Sequence, residues 1–218
     1  MFNKVPGTLL DVSPDTARDP YSAIEPLLAA TGGLTLSQVS EMTGIEPTTI
    51  QNWVKRGWVA SPRHKRYGET QLMRIILINM LRGTLHLDSI AKLMTYINGS
   101  ALDTSDDIIP DAELYSRLCG VIKETRSRTP RLLELDAIVT KELAGYEGQN
   151  GEETPSKNRE KLQKALVVMA LSYEAAQISE LAAQKLNEIN FSNNFKGGTE
   201  NGKLQRRKNS IGKRQSLK

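Results

Sequence analysis

Ten residues near the middle of the chain, from Leu72 to Leu81, limit the fold most. Leu72, Met73, Ile75, Ile76, Leu77, Ile78, Met80 and Leu81 leave this stretch almost no polar face. As a helix running from Gly68-Glu69 to about Arg82, it must be covered on nearly every side. The rest of the chain has to supply that cover, and its patterns are helical. Strand-like alternation is scarce and aromatics make up only 5% of the residues. A length of 218 residues allows one real core with appendages, or two small domains.

The stretch before this helix sets the organisation of the first half. Thr35 opens a short helix, and Thr35 with Gln38 has the spacing of a capping box. Leu36, Val39 and Met42 form its buried stripe. Gly44 permits a left-handed turn, Ile45 plugs the angle, and Pro47 starts a second helix to about Arg56. Glu46 is a poor side-chain cap for that start. Ile50, Trp53 and Val54 share one side of the second helix, while Thr48, Gln51, Asn52 and Lys55 fall on the other. Gln and Asn can bond adenine edges, Thr can touch a thymine methyl, and Lys can reach a phosphate. A solvated face on an ordinary amphipathic helix has the same composition, so the flanking pattern has to decide. Trp58-Val59 and Arg66-Tyr67 read as two very short strands, with Ala60 to Lys65 as the turn between them. Arg63, His64, Lys65 and Arg66 place cations beside Tyr67, which suits a phosphate backbone. Helix, glycine turn, helix and basic wing, in that order, is how a winged helix-turn-helix reads. A fourth helix, Leu87 to Ile97, turns Leu87, Ile90, Leu93, Met94 and Ile97 inward and ends at Asn98-Gly99.

Residues 34–99 resemble the N-terminal DNA-binding domain of MerR-type transcription regulators. The resemblance rests on Thr49-Ile50-Gln51-Asn52-Trp53-Val54-Lys55-Arg56-Gly57-Trp58, on Arg66-Tyr67, and on the helices Leu72 to Arg82 and Leu87 to Leu93. The same span looks closer still to an uncharacterised bacterial family of MerR-like proteins, a domain-of-unknown-function group (DUF1836-like). Asn52-Trp53-Val54-Lys55, Pro62 to Tyr67 and Ile78-Asn79-Met80-Leu81-Arg82 carry that likeness. It implies a winged helix-turn-helix fold and double-stranded DNA as partner. The DNA-contacting set it implies, together with the helix faces above, is Thr48, Thr49, Gln51, Asn52, Lys55, Arg56, Arg63, His64, Lys65, Arg66 and Tyr67. Gln51 stands where MerR proteins usually have arginine. Gly99 to Ile109 is a polar, Asp-rich loop where a typical member runs into a dimerising coiled coil.

The first 33 residues read as mostly irregular, broken by Pro6, Gly7, Pro14, Pro20 and Pro26. One short helix over Tyr21 to Ala30 would present Ile24, Leu27 and Leu28 on a shared face and end at Thr31-Gly32-Gly33. Residues 110–189 read as a helical domain. Leu114, Leu118, Val121 and Ile122 align in one helix, flanked by Tyr115 and Cys119. Leu132, Leu135, Ile138, Val139 and Leu143 align in a second helix, to about Ala144. Glu147 to Ser156 is a linker, and Lys157 to about Ile189 forms a long helix. Leu162, Leu166, Met169 and Tyr173 recur there at spacings of four, three and four residues, a seam suited to homodimerisation. The same seam also fits an intramolecular bundle. Residues 190–218 lack the apolar side chains that would offset ordering entropy and are expected to be disordered.

The net charge of +4 is unevenly spread. Residues 34–98 carry net +4, residues 99–195 net −5, and the tail from Lys196 net +7. Basic charge thus sits in the helix-turn-helix segment and in the tail. No metal-ligand spacing, phosphate-cradling loop or nucleophile motif is found, so the chain is expected to be no enzyme and to need no cofactor. Two histidines, His64 and His86, and the single Cys119 make no recognisable zinc set. No apolar run approaches the ~20 residues of a membrane span. The first residues lack a secretory pattern, so a cytoplasmic location is expected. The fold class expected is all-α: four helices with a minimal two-stranded wing, then a helical bundle. The function expected is sequence-specific transcription regulation. The alternative is a protein–protein adaptor that keeps the winged fold. A small-molecule effector is left open.

Overall fold

The helix expected over 68–82 runs from Glu69 to Leu81 in the computed structural model, which describes residues 4–11, 19–105, 107–127, 134–146 and 154–188. Among the described residues it is the fourth of eight α-helices. These are α1 (Glu25–Thr31), α2 (Leu36–Thr43), α3 (Pro47–Lys55), α4 (Glu69–Leu81), α5 (Leu87–Asn98), α6 (Asp111–Ser127), α7 (Leu135–Glu142) and α8 (Pro155–Glu188). A 3-10 turn, Pro20–Ala23, precedes α1. Two short strands, β1 (Leu34–Thr35) and β2 (Arg66–Tyr67), form an antiparallel pair. The architecture is therefore all-α with one small two-stranded sheet. Residues Met1–Ile178 form one compact unit and Ser179–Lys218 a second, of which only the last turns of α8 are described. The expected division at 99–110 separates no compact units, because α4 packs directly on α6.

Leu72, Met73, Ile75, Ile76, Leu77 and Leu81 have no exposure at all, as the run of apolar residues demands. Three polar residues of α4 and α5 have their hydrogen-bonding groups met by the fold. Arg74 is 4% exposed, and its Nε donates to Asp111 Oδ2 at 2.7 Å. Asn98, fully buried, donates to Ile109 O at 2.7 Å and to Asp111 Oδ1 at 3.3 Å. One carboxylate at the start of α6 thus neutralises a core guanidinium and ties down the end of α5. Asn79 Nδ2 donates to Gly7 O at 2.9 Å and to Thr43 O at 3.0 Å.

That contact exposes a feature the sequence hid. Residues 4–11, expected to be irregular, form a strap across α4. Val5 is fully buried, Tyr115 Oη donates to Pro6 O at 3.1 Å, and Leu9 N donates to Met42 O at 2.8 Å. Gly7 has φ of 75°, and a Cβ there would sit 2.9 Å from Ile76 O, so only glycine passes this close to α4.

In the N-terminal helix Ile24 and Leu28 are buried as expected, but Leu27 is exposed. The buried side of this short helix takes only the i, i+4 pair Ile24 and Leu28, with Leu27 on its open edge. In α6, Leu114, Tyr115, Leu118, Val121 and Ile122 are all buried. Leu135, Ile138, Val139 and Leu143 are buried around α7, while Leu132 and residues 147–153 of the expected linker lie outside the described residues, as does the tail from 189.

The largest correction concerns α8. Leu162, Leu166 and Met169 have no exposure and Tyr173 is buried, all within the chain's own core. The seam expected to join two chains is used intramolecularly. The packing is close: Thr84 Oγ1 donates to Ser172 O at 2.9 Å, and a Cβ on Gly83 would fall 2.9 Å from that of Ala176.

Candidate nucleic-acid interface

α2 begins with the expected capping box. Gln38 N donates to Thr35 Oγ1 at 3.4 Å, and Thr35 N donates to Gln38 Oε1 at 2.9 Å. Gly44, with φ of 70°, ends α2 in the left-handed conformation. Ile45 is buried between α2 and α3. α3 starts at Pro47 with no side-chain cap from Glu46. Ile50 and Trp53 are buried and Val54 half-buried, which fixes the rotation of α3 about its axis. Thr48, Gln51, Asn52 and Lys55 are exposed on the other side, and Thr49 is half-buried.

The end of α3 explains why Trp58-Val59 forms no strand. Trp58 N donates to Trp53 O at 3.0 Å and Gly57 N to Val54 O at 3.0 Å, with Gly57 at φ of 73°. This is the Schellman closure of a helix. The Trp58 amide is spent on it, and Val59 is fully buried. β2 pairs with β1 instead, Leu34 opposite Tyr67 and Thr35 opposite Arg66.

The basic turn is nevertheless a hairpin. Arg63 N donates to Arg66 O at 3.0 Å and Arg66 N to Arg63 O at 2.8 Å. His64 (φ 49°) and Lys65 (φ 61°) between them are both left-handed, as in a type I′ turn. Left-handed backbone costs a non-glycine residue roughly 1–2 kcal/mol. Replacing the pair by His64→Asn with Lys65→Gly is therefore expected to stabilise the chain by about 1–2 kcal/mol. The urea midpoint checks this, and a lower midpoint would show that the two residues are not strained there.

The cations differ in freedom. Arg63, His64 and Lys65 are exposed at the hairpin. Arg66 is a strut, with Nη1 donating to Gly33 O at 2.8 Å. Arg56 lies 4.9 Å from the Trp58 ring centre and 4.0 Å from Asp88 Oδ1. An exposed pair of that kind holds it by only about 0–1 kcal/mol. Tyr67 is a correction: it is 3% exposed, and burial pushes its phenol above the ordinary value, so it supports the sheet and offers no contact surface. Lys55 and Arg63 are eight residues apart, hence at most about 29 Å, within the ~34 Å of one duplex turn. Glu46, exposed at the start of α3, suits the helix dipole and opposes a nearby phosphate.

Two spaces bear on an effector. A cavity of about 30 Å³ lies between Trp58, Arg74, Ile78, Leu87 and Met94; it has room for little more than water. A cleft of about 660 Å³ runs between Asp19-Pro20, α6 and α7. Its Arg117 is already engaged, by Glu113 Oε1 at 2.7 Å and Glu142 O at 2.7 Å. Among the described residues, no group of three or more His, Cys, Asp or Glu could hold a metal ion. No described helix is long and apolar enough to cross a membrane.

Sequence reasoning passed over the Arg74–Asp111 pair and the strap at residues 4–11. A lone arginine inside the apolar α4 run was the available signal for the first. No curated protein and no solved structure matches the chain. A family model described as "Domain of unknown function (DUF1836)" matches residues 31–118, from the end of α1 into α6, which extends past the expected edge at Gly99 and takes in Arg74, Asn98 and Asp111. The chain thus carries a DUF1836 domain over residues 31–118.

Proposed function

We propose that the protein is a sequence-specific DNA-binding transcription regulator, with α2 and α3 acting as a MerR-like winged helix-turn-helix. α3 lies in the major groove, and the Arg63–Arg66 hairpin meets the phosphates as the wing. The observation that carries this reading is the outward set Thr48, Gln51, Asn52 and Lys55, held opposite the buried Ile50 and Trp53. Gln51 and Asn52 supply the base-edge chemistry, and Lys55, Arg63 and Lys65 the phosphate chemistry. The adaptor alternative draws on Glu46 and Asp88, which lower the positive charge around α3, and on Arg66, whose guanidinium is already engaged by Gly33 O.

Selection of random duplexes on the full chain, followed by sequencing, tests the reading. Gln51→Ala and Asn52→Ala are each expected to lose about 1–3 kcal/mol of discrimination at one position of the selected site. If both variants kept the wild-type preference, α3 would not be the reader.

A further inference from the structure

α3 holds no Asp or Glu between Pro47 and Lys55, and the acidic residue at its head is Glu46. A module that met DNA through charge alone would have no use for a carboxylate there, since phosphates repel it. The backbone nevertheless mounts this side chain firmly. Glu46 precedes Pro47, whose ring bars its predecessor from helical backbone. Glu46 accordingly stands at φ −56° and ψ 136°. Its carbonyl accepts from Thr49 N at 2.9 Å and from Ile50 N at 3.2 Å, which fixes it to the first turn of α3. The carboxylate itself caps nothing, enters no ion pair among the described residues, and is exposed.

The N-terminal end of a recognition helix is the end that meets base edges in the major groove. Two groups donate there, N4 of cytosine and N6 of adenine. Adenine sets the acceptor N7 beside its donor, which repels a carboxylate, whereas the cytosine edge offers the amino group alone. Gln51 and Asn52 carry a donor and an acceptor each and suit adenine. Glu46, an acceptor only, suits cytosine. Lys55 stands nine residues further on, about 13 Å along the helix, and leaves the far end for a phosphate.

We propose that Glu46, resting on the reading of α3 as the recognition helix, reads a cytosine at one edge of the bound site. Its carboxylate accepts from the N4 hydrogen that projects into the major groove. Removing the carboxylate then has opposite effects on two kinds of duplex. A site holding the cytosine loses a hydrogen bond, while any other duplex loses a repulsion.

Selection of random duplexes on the full wild-type chain and on Glu46→Ala is the test. The wild-type site is expected to hold a C·G pair that the Glu46→Ala site leaves unspecified. That pair lies outside the positions relaxed by Gln51→Ala and Asn52→Ala. Glu46→Ala is expected to bind the wild-type site at least about fivefold more weakly, and a scrambled duplex more tightly. Loss of a merely favourable charge at the helix end would weaken both, and loss of a mere repulsion would tighten both. Circular dichroism is expected to be unchanged, because the side chain caps nothing. The wild-type chain gives a second measurement that needs no variant. N4-methylcytosine keeps the hydrogen that pairs with guanine and puts a methyl group in place of the one facing the groove. At that pair it is expected to weaken the wild-type chain at least about fivefold and to leave Glu46→Ala unaffected. A wild-type selection that returns no preferred site overturns DNA reading and the cytosine contact together. A preferred site overturns the cytosine contact alone if Glu46→Ala keeps every preference, if it shifts both duplexes in the same direction, or if no N4-methylation in the site weakens the wild-type chain.

Discussion

A chain carrying Lys55→Ala, Arg63→Ala and Lys65→Ala is expected to bind every duplex about 100- to 1000-fold more weakly at about 0.1 M salt. Each phosphate contact adds about 0.9 to the slope of log affinity against log salt, so the slope should become shallower by about 2.7. The three side chains are exposed and enter no ion pair among the described residues. Their loss should therefore move stability by no more than about 0.5 kcal/mol. Arg66 is left out because its guanidinium holds Gly33 O. Arg56 is left out because it packs on Trp58. Titration of a fluorescent duplex at several salt concentrations reads the effect. An unchanged slope would remove the hairpin from the interface, and a loss confined to one sequence would make these residues base readers.

Asp111→Ala is expected to cost about 3–5 kcal/mol, out of the ~5–15 kcal/mol that holds a typical domain together. The substitution strands the Arg74 guanidinium, 4% exposed and without its partner at 2.7 Å. Arginine cannot shed its proton to escape. Replacing both members, Arg74→Leu with Asp111→Leu, should recover most of the loss, because an apolar pair needs no compensation. Urea unfolding followed by circular dichroism measures both. A loss under about 1 kcal/mol for the single variant would mean that water reaches Arg74, contrary to its burial.

Elements whose own period carried the signal were legible in the sequence. α4 and α5 follow from their apolar spacing, and α3 from the opposition of Ile50 and Trp53 to Gln51 and Asn52. The Thr35–Gln38 capping box is a local motif and was readable as such. Long-range pairing was not. Two-residue strands have no alternation to read, so Leu34–Thr35 could not be recognised as the partner of Arg66–Tyr67. Arg74 and Asp111 lie 37 residues apart, and each alone is an ordinary charged residue. For α8 the periodicity revealed an apolar seam through Leu162, Leu166, Met169 and Tyr173. A seam names the face to be covered and leaves open what covers it. The core of the same chain took that role, leaving Val168, Leu171 and Ile178 outside.

The most direct test of DNA reading by α3 compares a selected duplex with a scrambled duplex of the same composition, over a range of salt. Both affinities should fall with salt through the phosphate contacts, while the selected duplex stays at least about 1000-fold tighter. Equal affinity for the two duplexes, or no binding that salt weakens, would contradict sequence-specific recognition and favour a protein partner for this face.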